Sequence, residues 1–175
     1  MGATHQALLI ELDLSRARAH MRALKHILLL APATLLLSIS AWAASDSILG
    51  VWLNGDKDAH IEVFKCGERY CGKIVWLKEP VYPQGSKEGT PGTPKVDHYN
   101  PDASRRMVPT MGLEIMKDFQ FVGDDSWKNG TIYDPGNGKT YSAKAKLVSP
   151  NNLDLRGFIG VSLIGRTERW TRVQQ

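Results

Sequence analysis

Asp97, His98, Asn100 and Asp102 form the densest group of hard ligands in this chain, with oxygen donors at i, i+3 and i+5. Calcium favours such groups, but the glycine and the distal glutamate of a helix–loop–helix calcium loop are missing. Asx-turns around Asn100-Pro101 use the same side chains equally well. His60 and His98 are the only histidines beyond residue 44, so a serine–histidine pair would have to draw on one of them. His60 begins a strand-like run next to a turn, the setting of a solvated ring. Gly138-Lys139-Thr140 resembles the end of a phosphate-binding loop, but Tyr133 stands where the earlier glycine belongs. The run from Gly160 through Ser162 to Gly165 misses a Gly-x-Ser-x-Gly elbow by one residue. Asp134-Pro135-Gly136-Asn137-Gly138 reads as a hairpin turn rather than an ion site. These residues assign no catalytic group, no metal and no cofactor.

Aromatic and arginine side chains carry more information. Gly50-Val51-Trp52 opens the strand-rich part and Arg166-Thr167-Glu168-Arg169-Trp170-Thr171-Arg172 closes it. A Trp at the first strand with an arginine on the last is a way to seal one end of a small antiparallel barrel, because a guanidinium can lie on the indole face. Trp52 and Arg172 are therefore expected to close the barrel. If Trp170 faces inward, period 2 sends Arg166, Glu168 and Arg172 inward too. Trp76, Tyr133, Tyr141, Arg156, Arg166 and Trp170 are the candidate ligand-binding side chains. Buried arginines need a carboxylate such as Glu168, or an anionic ligand.

The elements that must hold these residues are short strands. Period-2 patterns predict strands over 50–54, 60–66, 70–78, 112–122, 126–134, 139–148, 152–159 and 166–173. Asn-Gly, Asp-Pro-Gly-Asn-Gly and Ser-Pro-Asn-Asn supply the turns. Eight such strands predict an all-β, antiparallel up-and-down barrel, the strand count whose interior just holds one small ligand. A two-sheet sandwich is the alternative. A long connection at 79–110, rich in Gly, Pro and charge, interrupts the meander, and loops of that length are usually functional or mobile. The segment 160–165 is either one turn of helix at a barrel mouth or a wide apolar loop.

The first 43 residues are not part of this pattern. Met21-Arg22-Ala23-Leu24-Lys25-His26 is basic, Ile27 to Ile39 is apolar, and Ala41-Trp42-Ala43 offers a small-x-small cleavage site. That order is a signal peptide over 21–43, and its apolar run is too short to span a bilayer. Residues 1–20 then form an upstream extension ahead of Met21 as the initiator. The domain is 44–175, periplasmic or secreted, with no membrane span left after cleavage. Residues 45–175 carry 18 Lys and Arg against 16 Asp and Glu, a net of +2, too small an excess to argue a nucleic-acid partner. Cys66 and Cys71 flank Gly67-Glu68-Arg69-Tyr70 between two strand-like runs, so a tight hairpin in an oxidising compartment predicts a disulfide. A Cys-x4-Cys metal or redox site lacks a second ligand pair.

Several runs in order match one pattern: Gly50-Val51-Trp52, Tyr70 to Leu77, Asn100-Pro101-Asp102, Ile132-Tyr133-Asp134-Pro135 with Gly138-Lys139-Thr140-Tyr141, and Arg156-Gly157-Phe158-Ile159-Gly160 through Trp170. In these the chain resembles the exported bacterial proteins grouped as domain of unknown function 2147. The resemblance implies a lipocalin-like barrel of the calycin group and an exported location, and it implies no activity. The stretch 82–94 is longer than the family's usual connection. The leading expectation is a carrier of a small, partly apolar molecule inside the barrel. The alternatives are an envelope interaction or stress module whose long loop contacts a protein partner, and a hydrolase using Asp97 or Glu114 at the mouth.

Overall fold

Alternation of apolar and polar side chains closes into a ring in the computed structural model, which describes residues 45–174. The proposed extension and signal peptide, 1–43, lie outside the described residues. Eight antiparallel strands follow one another around a closed barrel: β1 (Gly50–Leu53), β2 (Ala59–Cys66), β3 (Arg69–Leu77), β4 (Glu114–Phe121), β5 (Ser126–Asp134), β6 (Lys139–Ser149), β7 (Asn152–Phe158) and β8 (Gly165–Arg172). The last strand returns to the first through the short pairing of Trp52 with Arg172 and Leu53 with Thr171. The predicted strands differ from the observed ones by about two residues or fewer at most ends, as fraying ends do. The meander is a barrel and not a sandwich.

One end is plugged. Residues just before β1 form a short 3-10 turn, Asp46–Ile48, that the sequence patterns did not signal. It places Ile48 over the barrel end, where the Trp52 indole N–H donates to the Ile48 carbonyl at 2.9 Å. The Arg172 guanidinium lies over the Trp52 ring, 4.1 Å from its centroid. It also donates to the carbonyls of Ser47 (2.6 Å), Leu49 (2.7 Å) and Pro150 (2.8 Å). The arginine therefore stacks on an aromatic face and satisfies three backbone acceptors, two just before β1 and one in the β6–β7 turn. Gly50 permits this: its φ is +116°, and a Cβ there would sit 2.9 Å from Arg172 Nη1. Beneath the plug, Trp127, Phe119, Met116, Tyr70 and Leu153 fill the barrel and are buried. Cys66 and Cys71 form a disulfide across the β2–β3 hairpin at the same end.

The long connection between β3 and β4 is folded on itself. Val81 bridges Pro94, Val96 bridges Pro109, and the buried Tyr82 hydroxyl accepts from the Val96 N–H at 3.2 Å. It is ordered, and it packs beside the β5–β6 turn: Gly138, with φ +71°, lets the Tyr99 carbonyl approach where any Cβ would collide. The segment 160–165 is a wide loop with a turn closed by Ile164 N–H to Val161 O at 3.0 Å, not a helix.

Candidate functional site: a cavity at the open end

Opposite the plug the barrel is hollow. A cavity of about 930 Å³ opens to solvent between the β1–β2 turn, the β3–β4 connection, the β5–β6 turn and the β7–β8 loop. Its inner wall is apolar, built from Ile61, Ile74, Ile115, Ile132, Leu155 and Trp170. All six are inward positions of period-2 strands. Five of the six are aliphatic, whereas the plugged end holds two tryptophans and a phenylalanine. Roughly 300–1,000 Å³ is the usual size of a small-molecule cleft, so this one accommodates a molecule rather than a few waters.

The charged groups lie on the turns and strand ends around the mouth. Arg166 Nη2 lies 3.6 Å from both Asp56 Oδ1 and Glu168 Oε1, with the arginine well exposed. Exposed pairs of this length contribute little stability, so the guanidinium is free to re-pair with a ligand. Tyr141 O–H accepts from Asn137 Nδ2 at 3.2 Å, and Asn137 Nδ2 also donates to Asp134 Oδ2 at 2.7 Å, which fixes the β5–β6 turn. Lys95 and Glu79 pair at 3.4 Å on the long connection. The β1–β2 turn is held by Asn54, whose Oδ1 accepts from Asp58 and Ala59 N–H at 3.0 Å.

Tyr133 spans cavity wall and loop. Its hydroxyl donates to Asp97 Oδ1 at 2.6 Å, while Asn100 Nδ2 donates to Asp97 Oδ2, also at 2.6 Å. Asp97 is fully buried. Burial, then the bond to Asp97, pushes the Tyr133 phenol well above its usual value. The hard-ligand group of the sequence is thus divided. Asp97 anchors the loop to β5, Asp102 caps the 3-10 turn Ala103–Arg105 through Ser104, and His98 packs edge-on against Tyr99. Glu114 pairs with Lys117 at 3.9 Å and does not line the cavity.

Of the candidate ligand-binding residues, Tyr133, Tyr141, Arg166 and Trp170 line the cavity, and Trp76 and Arg156 do not. Strict alternation puts Trp76 on the face of Ile74, but a β-bulge intervenes: Ile61 pairs with Ile74 while His60 pairs with Trp76. The extra residue, Val75, turns Trp76 to the outer wall, where it stacks on His60 with centroids 4.4 Å apart. Arg156 alternates with the inward Leu155 and points outward. Its guanidinium donates to Ser162 O (2.8 Å), Leu163 O (3.2 Å) and Thr167 Oγ1 (2.9 Å). Sequence reasoning missed Ile61, Ile115, Ile132 and Leu155 as cavity wall, because an inward aliphatic residue looks the same whether or not a neighbour fills the space before it.

The fold has a solved counterpart described as "Protein HP1028 from the human pathogen Helicobacter pylori belongs to the lipocalin family". It aligns with a TM-score of 0.60 at 22% identity, covering 73% of this chain and 83% of that one. That likeness shows a lipocalin-like barrel and nothing about ligand. No curated protein matches the chain significantly. A family model described as "Uncharacterized protein conserved in bacteria (DUF2147)" matches residues 50–172, the whole barrel. With the match spanning every strand of the barrel, the chain belongs to the DUF2147 family of bacterial proteins.

Proposed function

We propose that this protein is an exported carrier that holds a small, partly apolar molecule in the open half of its barrel. The observation that carries the reading is the contrast between the ends: one packed with aromatic rings and sealed by Arg172, the other hollow with an aliphatic wall and a polar rim. Such a cavity buries an apolar body against Ile74, Ile132 and Leu155 and leaves a polar end near Arg166, Glu168 and Tyr141. Export is supported by the leader-like residues 21–43 and by the Cys66–Cys71 disulfide, a bond that persists in oxidising compartments.

The test is native mass spectrometry of Ala44–Gln175 purified gently from its own cell envelope, with titration of the fluorescent probe N-phenyl-1-naphthylamine alongside. An adduct lost on denaturation, and probe binding weakened about tenfold or more by Ile132→Trp, are the expected results. Probe binding that is unchanged when Ile132→Trp or Leu155→Trp fills the cavity would sink the carrier reading.

A further inference from the structure

The β7–β8 loop is an apolar prong beside the mouth. Within six residues it exposes Ile159 (66%), Val161 (59%), Leu163 (90%) and Ile164 (71%). Scattered exposed aliphatics are ordinary on a protein surface, but four on one loop mark a contact. The loop is not slack. Arg156 grips its backbone through Ser162 O and Leu163 O, and the Val161–Ile164 turn closes it, so Val161 and Leu163 are presented from a fixed backbone, with Ile159 and Ile164 at the edge of the cavity mouth.

The same arginine belongs to a basic wall. A shallow groove of about 250 Å³ on the outer face of β5–β8 is lined by Lys128, Lys144, Lys146 and Arg156, with Ser126 and Thr167 as neutral donors. Its one carboxylate, Asp154, is taken by Arg169, which donates to both of its oxygens at 2.7 and 3.0 Å. Lys128, Lys144 and Lys146 make no ion pair among the described residues, while Lys65, Lys73, Lys95 and Lys117 each have a carboxylate partner. An apolar tip continuous with an uncompensated cationic wall matches one kind of surface, a bilayer with anionic phosphate headgroups. A protein partner would be met by aromatic anchors, and this prong has none.

We infer that this face docks the barrel onto an anionic lipid bilayer. Val161 and Leu163 enter the acyl boundary, and Lys128, Lys144 and Lys146 meet headgroup phosphates. The mouth then lies at the membrane surface, whatever the cavity holds.

The experiment is vesicle co-flotation of Ala44–Gln175, which contains the whole closed barrel, with phosphatidylcholine vesicles or vesicles containing about one third phosphatidylglycerol. Binding to the anionic vesicles only is expected, falling steeply with salt. Val161→Asp with Leu163→Asp should weaken it at least about tenfold, and Lys144→Glu with Lys146→Glu comparably. These sites are off the core, and an unchanged melting temperature checks that each variant is folded. The proposal is overturned by no flotation with either vesicle, by equal flotation with neutral ones, or by flotation indifferent to both variants. A dimer in light scattering that Val161→Asp with Leu163→Asp dissolves would likewise overturn it, assigning the prong to a second copy of the chain.

Discussion

Tyr133 on β5 and Asp97 on the β3–β4 connection, 36 positions apart, share a 2.6 Å hydrogen bond around a fully buried carboxylate. That bond fastens the long connection to the barrel wall at the mouth, and Asn100 completes the shell of Asp97 from within the loop. A connection of this length would otherwise be held by its own few bridges. The pairing makes the loop part of the cavity's frame.

Tyr133→Phe leaves one oxygen of Asp97 without its donor, at a cost of about 2 kcal/mol in urea unfolding. The variant should also lose a pH dependence. The folded phenol titrates above the ordinary value near 10, so its contribution is complete below about pH 10 and is lost as pH rises through the folded value. Wild-type stability should fall in that alkaline window, and Tyr133→Phe should fall less. Equal slopes for the two proteins would contradict the assignment.

At the sealed end, Arg172→Ala removes the stack on Trp52 and three donors to backbone carbonyls. A loss of about 2–4 kcal/mol is expected, read from denaturant midpoints. Arg172→Lys should recover little, since an ammonium cannot both stack flat and reach three carbonyls. Full recovery by lysine would show that charge alone matters here.

Reducing the Cys66–Cys71 disulfide should cost about 2 kcal/mol, the modest value for a loop this short, and leave the barrel folded. Far-UV circular dichroism with and without reductant measures both. Unfolding on reduction would give the hairpin a larger role than its short loop predicts.

Trp76→Ala removes an outer-wall ring that is 40% exposed, so it should cost under about 1 kcal/mol and leave probe binding unchanged. Leu155→Ala, on the cavity wall, should lower stability by about 2 kcal/mol or more and alter probe affinity. A binding defect in Trp76→Ala would place the site elsewhere.

Much of this protein is readable from local pattern. Strand positions, the barrel and the disulfide follow from period 2, turn residues and spacing, because the side-chain alternation of a strand is a property of the backbone itself. The Gly50–Trp52 and Arg172 pairing carries a signal at both chain ends, and the matched runs from 50 to 172 identify the family. Four features are silent in the sequence. The bulge at Val75 reverses the face of Trp76, since one added residue inverts everything beyond it. The outward turn of Arg156 and its grip on the 160–165 loop depend on the register of β7 against β8. The meeting of Tyr133 with Asp97, and the hollow left among aliphatic walls, are set by closure of the sheet, which brings distant residues together and decides which inward side chains meet a neighbour and which face empty space.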